Sequence, residues 1–342
     1  MPKVAVVILN WNGKELLSRF IPPLLKSNPE WSEIIVVDNN SSDDSISFLR
    51  NTFPGIRIIQ NSANAGYAGG YNSALKQVKA EYYVLLNSDV EVTGNWLEPV
   101  IAQMDADPAV AAAQPKVMSY HRRDEFEYAG AAGGFIDKYG YPFCRGRIFN
   151  SFEKDSGQYN DMREIFWATG ACLFVRSEMY HSAGGLDEDF FAHMEEIDLC
   201  WRLKNRGYKI LFVPTATIYH MGGETLNKVN PEKTYLNFRN NLLLLFRNHA
   251  GEWFVAKFFI RMLMDGIAAF KFLFDGGPSH FVAVLRAHIN FYSQMGKVLA
   301  KRKAEKPFVK KFASSCVYRK SIVWEYFIKG KKKFSDLDDQ DF

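Results

Sequence analysis

VAVVILNWNG, residues 4–13, sets an unbroken apolar run against an abrupt polar turn. Six apolar residues, most of them β-branched, fit a strand buried on both faces inside a parallel sheet. The run is too short for the core of a signal peptide, and no small-residue cleavage pattern follows it. Further strands are expected at residues 34–37, 56–60, 82–86 and 110–114. Helices are expected near 14–26, 44–51, 69–78 and 96–104 between them. This βαβ alternation implies an α/β fold with a mostly parallel central sheet flanked by helices.

Ligands of such sheets bind beyond the carboxyl ends of the strands. The residues there are Asn10-Trp11-Asn12-Gly13, Asp38-Asn39-Asn40-Ser41-Ser42-Asp43-Asp44 and Asn87-Ser88-Asp89. Each fits a turn followed by a helix cap. Three at one sheet edge fit a shared polar ligand better. Asn64-Ala65-Gly66-Tyr67-Ala68-Gly69-Gly70-Tyr71-Asn72 is a glycine-rich loop running into a helix, where free N–H groups can meet an anion. It is not GxGxxG and does not follow the first strand, which disfavours a dinucleotide fold.

Residues 118–165 show weak periodicity, and 128–147 read as short strands and loops forming one wall of a cleft. A strand near 171–175 precedes FFAHMEEIDLCWRLKNRGYKI, residues 190–210, where Glu195, Glu196 and Asp198 crowd together. Two readings stay open: mutually raised carboxylates able to act as a base, or acids opposing the dipole in a first helical turn. A strand at 210–213 leads to Tyr219-His220-Met221-Gly222-Gly223. There His220 is a structural histidine, or one placed among glycines that admit a ligand.

The chain has 342 residues, 47% hydrophobic and 15% aromatic, ample for a packed core. Cys144, Cys172, Cys200 and Cys316 are scattered without a CxxC pair, which suggests neither a zinc site nor a disulfide framework and fits a reducing, cytoplasmic setting. Residues 297–333 carry a local charge of +11, against −3 for residues 1–296. Such a tail fits an anionic surface or a solvated helix.

Five blocks in order carry a family resemblance: VVILNWNG, VVDNNSSDDS, NAGYAGGYN, LLNSDVEV, and ATGACLFVR followed by GGLDEDFFAHMEEIDLCWRLKNRGY. From about residue 3 to 223 the chain resembles an inverting glycosyltransferase of family 2 with a GT-A fold. Within that family it is similar to the bacterial rhamnosyltransferase-like branch of cell-surface polysaccharide synthesis. The resemblance implies a catalytic domain over residues 1–225, with a nucleotide-sugar half (1–115) and an acceptor half (116–225). Residues 226–342 form a helical, basic extension.

The resemblance also implies roles. Asp38 sits where the family reads the nucleobase, with Asn10 beside it; Asn12, Asn40, Asn64, Gly66, Asn72, Asn87 and Ser88 complete the nucleotide-sugar side. Asn87-Ser88-Asp89 occupies the DxD position with Asn replacing the first acid, so Asp89 is its only carboxylate. Asp89 and His220 would hold Mn2+ or Mg2+. Glu196 matches the family's base, as Glu in place of the usual Asp, with Glu195 and Asp198 tuning it or meeting the acceptor. Trp167, Thr169 and Gly170 lie at the acceptor edge, where Trp167 would stack on a sugar or sit in the core.

The implied reaction moves a sugar from dTDP-rhamnose or a UDP-hexose to a hydroxyl of a glycan, expected to be lipid-linked. The rivals are a nucleotidyltransferase, which lacks its usual basic loop here, and a non-catalytic sugar-nucleotide binder. Past the motifs, residues 236–249 read as a helix. Residues 253–274 are too interrupted by Lys257, Arg261, Asp265 and Lys271 to span a membrane. An in-plane amphipathic helix with the basic tail would dock peripherally on the inner membrane face; a packed helical subdomain or dimer contact is the alternative. No nucleic-acid partner is expected.

Overall fold

The computed structural model describes residues 1–222, 230–310 and 313–342. Gly223, Lys311 of the basic run and the expected boundary at residue 225 lie outside the described residues. β1 (Val4–Asn10), α1 (Lys14–Lys26), β2 (Ser32–Asp38), α2 (Ser45–Thr52), β3 (Arg57–Gln60), α3 (Gly66–Leu75), β4 (Tyr82–Asn87), β5 (Val90–Val92), α4 (Glu98–Ala106) and β6 (Val110–Ser119) follow the alternation the sequence implies. The weakly periodic stretch holds β7 (Gly134–Asp137), β8 (Pro142–Cys144), β9 (Arg147–Ile148), β10 (Ser151–Phe152) and β11 (Arg163–Ile165). Next come β12 (Cys172–Arg176), α5 (Ser177–Ser182), α6 (Glu195–Asn205) and β13 (Lys209–His220). The remainder is α7 (Pro231–Asn248), α8 (Phe254–Asp275), α9 (Pro278–Ser293), α10 (Met295–Glu305), β14 (Val317–Tyr318) and α11 (Ile322–Phe327).

The main sheet runs β11-β13-β6-β12-β4-β1-β2-β3, with β5 on β13. β3, β2, β1 and β4 are parallel, whereas β12 enters antiparallel between β4 and β6. The sheet is therefore mixed. Alternation along β1 sends Val4, Val6 and Ile8 into a core with Leu17, Leu49 and Trp96, and Ala5 and Val7 into another with Tyr71, Tyr180 and Leu199. Both faces are covered, which explains the unbroken apolar run.

Register then assembles one edge. Asn10 pairs with Asp38, and Leu9 with Asn87, so the polar turns after β1, β2 and β4 emerge together. Because β12 is antiparallel, its first residue, Cys172, lies beside Leu86 and brings the preceding residues to the same edge.

The C-terminal segment packs on this body. β14 joins β7 in a small sheet, and α7 lies against α6. In α8 the buried Arg261 and Asp265 pair at 2.8 Å, and Tyr141 donates its hydroxyl to the same carboxylate. The charges that interrupt the apolar run thus turn inward, while Val255, Phe259, Leu263, Ile267 and Phe274 are exposed. Among the described residues no helix is long and apolar enough to cross a membrane. Much of the tail's charge is matched locally: Lys301 pairs with Asp187 and Asp189, Lys329 and Lys331 with Glu325, and Lys320 with Asp341.

Candidate active site

β13 ends beside the start of β5, pairing His220 with Val90, so the imidazole meets the carboxylate one residue earlier. His220 Nε2 stands 3.1 Å from Asp89 Oδ1, with Asn87 Nδ2 3.5 Å away. Both side chains are buried. Burial opposes charge on each, but the partners prevail: the His220 imidazolium is held well above its usual range by Asp89 and then Glu127, and the Asp89 carboxyl is lowered by His220.

Glu127 was not singled out in the sequence, where it sits in the stretch of weak periodicity. Buried, it faces His220 Nδ1 at 3.2 Å, while Ala129 N–H donates to its carboxylate. A carboxylate facing Nδ1 fixes the ring with Nε2 turned toward Asp89. Gly222, at φ +60°, makes room: a Cβ there would lie 2.5 Å from Glu127 Oε1. The signal available in sequence was this glycine.

At the ends of β1 and β2, Asn10 Nδ2 donates to Asp38 Oδ1 and Ser41 Oγ, both at 3.2 Å, and Ser41 N–H donates to Asp38 Oδ2. Asn10 Oδ1 is buried without a hydrogen-bond partner among the described residues. Asn12 Oδ1 accepts the N–H of Ser42 and Asp43, folding the β2 loop over the end of β1; Asn40, exposed at φ +63°, turns that loop. A cleft of about 460 Å3 opens here, lined by Asn12, Gly13, Lys14, Arg19, Asp43 and Asp44. Ser88 Oγ lies close by, 3.9 Å from where a Cβ on Gly13 would be.

The glycine loop departs from expectation. Gly66 N–H is taken by Asn64 Oδ1, and Tyr67 N–H by the Phe191 carbonyl, so these amides do not await an anion. Gly66 instead admits the Phe191 carbonyl, which would stand 2.5 Å from a Cβ there. Asn72 also leaves the ligand side. Its carboxamide receives the Tyr180 hydroxyl and Leu186 N–H, and donates to the Leu186 carbonyl and Glu188.

α6 starts after a strained approach, with Phe191, His193 and Met194 all at positive φ. Glu196 is half-buried, and its carboxylate abuts Gly170, where a Cβ would lie 3.7 Å from Cδ. Burial pushes Glu196 up to about 7, against the pull of nearby backbone N–H groups including Gly170. Glu195, more deeply buried, is raised by burial and then by Glu196. One oxygen of each is buried without a hydrogen-bond partner among the described residues. Asn87 N–H donates to the Ala171 carbonyl at 3.0 Å, which ties this carboxylate region to the Asp89 side.

Asp198 does not join them. Two positions beyond Glu196 it faces the other way round the helix. Fully buried, it pairs with Arg202 at 2.7 Å and Arg247 at 3.3 Å and accepts from Asn248. Its carboxylate is thus taken up by Arg202, Arg247 and Asn248. Trp167 is likewise a core residue: its indole N–H donates to the Phe135 carbonyl, and its ring fills the space a Cβ on Gly134 would need. Thr169, buried, accepts Ala171 N–H and packs on Gly130. Of the expected acceptor residues, Gly170 lies against the Glu196 carboxylate.

Residues 5–181 match the model of the family described as Glycosyl transferase family 2. The N-acetylglucosaminyl-diphospho-decaprenol L-rhamnosyltransferase of Mycobacterium tuberculosis is 22% identical over 266 residues, covering 72% of this chain and 85% of that protein. GalNAc-T7, solved with UDP, GalNAc and Mn2+, superposes with a TM-score of 0.57 at 17% identity over 72% of this chain; the match spans about half, 48%, of that longer chain. The mannosyltransferase PcManGT from Pyrobaculum calidifontis, solved with GDP-Man and Mn2+, gives 0.52 at 14% identity over 90% of this chain and 83% of its own. These likenesses show a GT-A fold, and with more than half its length matched by the family model, the chain belongs to glycosyl transferase family 2 and is a glycosyltransferase.

Proposed function

We propose that the chain moves a sugar, with inversion, from a nucleoside diphosphate such as dTDP-rhamnose or a UDP-hexose to a hydroxyl of a lipid-linked glycan. The observation that carries this reading is the half-buried Glu196, near neutral in pKa, tied through Ala171 to the edge that holds Asp89 and His220. A nucleotidyltransferase or a mere binding protein has no use for a poised base there.

Asp89 and His220 fit a divalent ion. Their donor atoms, an imidazole nitrogen and a carboxylate oxygen 3.1 Å apart, are of the kinds a divalent ion shared with a diphosphate would take. Among the described residues no group of three His, Cys, Asp or Glu side chains is arranged to hold a metal, so the pair would share the ion with the bound nucleotide. Mn2+ or Mg2+ there would offset the charge on the departing diphosphate.

Glu196 accepts the proton of the acceptor hydroxyl as that oxygen bonds to the anomeric carbon and the bond to the diphosphate breaks. Asp38 and Asn10 read the base from the paired ends of β1 and β2, and Asn87 and Ser88 contact ribose or phosphate. Glu195 is itself held back from ionising by burial and then by the Glu196 charge, and it supports the base from the same helical turn. A lipid-linked acceptor sits at a membrane surface, and the outward apolar stripe of α8 supports peripheral contact there.

The test is a donor screen by nucleotide release with a polyprenyl-diphosphate sugar acceptor. Release from one nucleotide sugar, dependent on acceptor and abolished in Glu196→Gln, is expected. Release from none across dTDP, UDP and GDP sugars would overturn the reading.

A further inference from the structure

Lys138, Lys257 and Arg319 line a second cavity of about 320 Å3 that shares no residue with the cleft beside β1. They come from three places in the chain: the turn after β7, the first turn of α8, and the segment after β14. Ser314 adds a hydroxyl to the wall, and Trp201 and His249 close it. Among the described residues none of the three cations pairs with a carboxylate. Asp137, the acid in the same wall, is occupied, its carboxylate accepting the N–H of Tyr139, Tyr141 and Ile322. Glu252, just before α8, acts on Lys257 without pairing.

Nor does His249 supply charge. Burial, and then Lys257, hold it down to about 4, so the neutral ring faces the Lys257 ammonium, Nε2 to Nζ 3.3 Å. Like charges gathered round one cavity repel, and a tetrahedral oxyanion can satisfy several of them at once.

We infer that Lys138, Lys257 and Arg319, with Ser314, form a site for a phosphate group. The segment that carries Lys257 also turns Val255, Phe259, Leu263 and Ile267 to solvent, with Trp253 exposed one turn before the lysine. Phosphate on a lipid headgroup meets both the cations and the apolar stripe, whereas free phosphate meets only the cations. The inference deepens the membrane-contact reading and is independent of the transfer chemistry, so its failure leaves nucleotide-sugar binding untouched.

The test uses the full chain. Inorganic phosphate and pyrophosphate are titrated calorimetrically, and flotation is measured with phosphatidylcholine vesicles with and without phosphatidylglycerol. Wild type is compared with Lys138→Gln, Lys257→Gln and Arg319→Gln, each checked by thermal melting. Flotation on the anionic vesicles alone, falling roughly fivefold per removed cation at unchanged melting temperature, supports the site with a lipid source. Phosphate binding lost in the variants, without flotation, supports it with a soluble source. Absence of both in wild type, or variants that bind as wild type does, would overturn it. Should Lys257→Gln melt early, the partly exposed Lys138 and exposed Arg319 still decide the matter.

Discussion

Asn240 donates its side-chain amide to the carbonyl of His193 at 2.7 Å, three residues before Glu196. The same amide meets the carbonyls of Phe190 and Ala192, and Arg239 Nη2 meets those of Asp189 and Phe190. A helix beyond the last family motif thus clamps the strained turn that aims the carboxylate. Asn240→Ala should cost about 2–3 kcal/mol, from several buried carbonyls left unpaired. Turnover should fall roughly tenfold or more through misplacement of the base. Melting and steady-state kinetics together check this; full turnover would mean the turn holds itself.

Rate and stability should oppose each other along the pH axis. With Glu196 raised to about 7, the active, ionised form grows as pH rises through that value, so kcat/KM climbs and levels above it. The folded state holds this proton where the unfolded chain has released it, so the group costs stability as pH rises from about 4.5 to 7. Glu196→Gln should remove that slope and raise stability at pH 8 by on the order of 1–2 kcal/mol while ending turnover. Paired pH–rate and pH–melting profiles read both.

Glu127→Ala should weaken Mn2+ binding roughly 10–100-fold by releasing the His220 ring. Glu127→Gln, which can still accept from Nδ1–H, should recover part of the loss. Calorimetric Mn2+ titration in the presence of UDP or dTDP checks it without relying on turnover.

Trp167→Ala should act on folding rather than on the acceptor. Removing a buried indole packed on Gly134 costs about 3–5 kcal/mol. The milder Trp167→Phe should leave the acceptor KM unchanged. A large KM change in a stable Phe variant would restore the ring to the acceptor site.

The strand ends were legible because a buried parallel strand writes an uninterrupted apolar run and its polar successor marks the ligand edge. Val4 to Asn10 shows both. Motif order then pointed to Asp89, His220 and Glu196, the residues proposed for the metal and the base. What sequence could not show was direction. Asp198 lies within the same acidic cluster as Glu196, yet two positions along a helix turn it toward Arg202 and Arg247. The Gly66 loop resembles an anion cradle until Phe191 and Asn64 occupy its amides. Glu127 reaches His220 only through the folding of residues 120–171, where no period marks an element. In α8, Arg261 and Asp265 read as breaks in an apolar run, but their mutual pairing lets both turn inward and leaves the apolar stripe outside.

If Asp89 and His220 hold a metal for a sugar nucleotide while Glu196 acts only on the acceptor, nucleotide sugars should stabilise the fold in Mn2+ but not in EDTA, a difference to be read by thermal melting of wild type, Asp89→Ala and Glu196→Gln. Metal-dependent stabilisation of wild type, lost in Asp89→Ala and kept in a Glu196→Gln protein that no longer turns over, is the predicted result. Equal stabilisation with EDTA, or in Asp89→Ala, would contradict it.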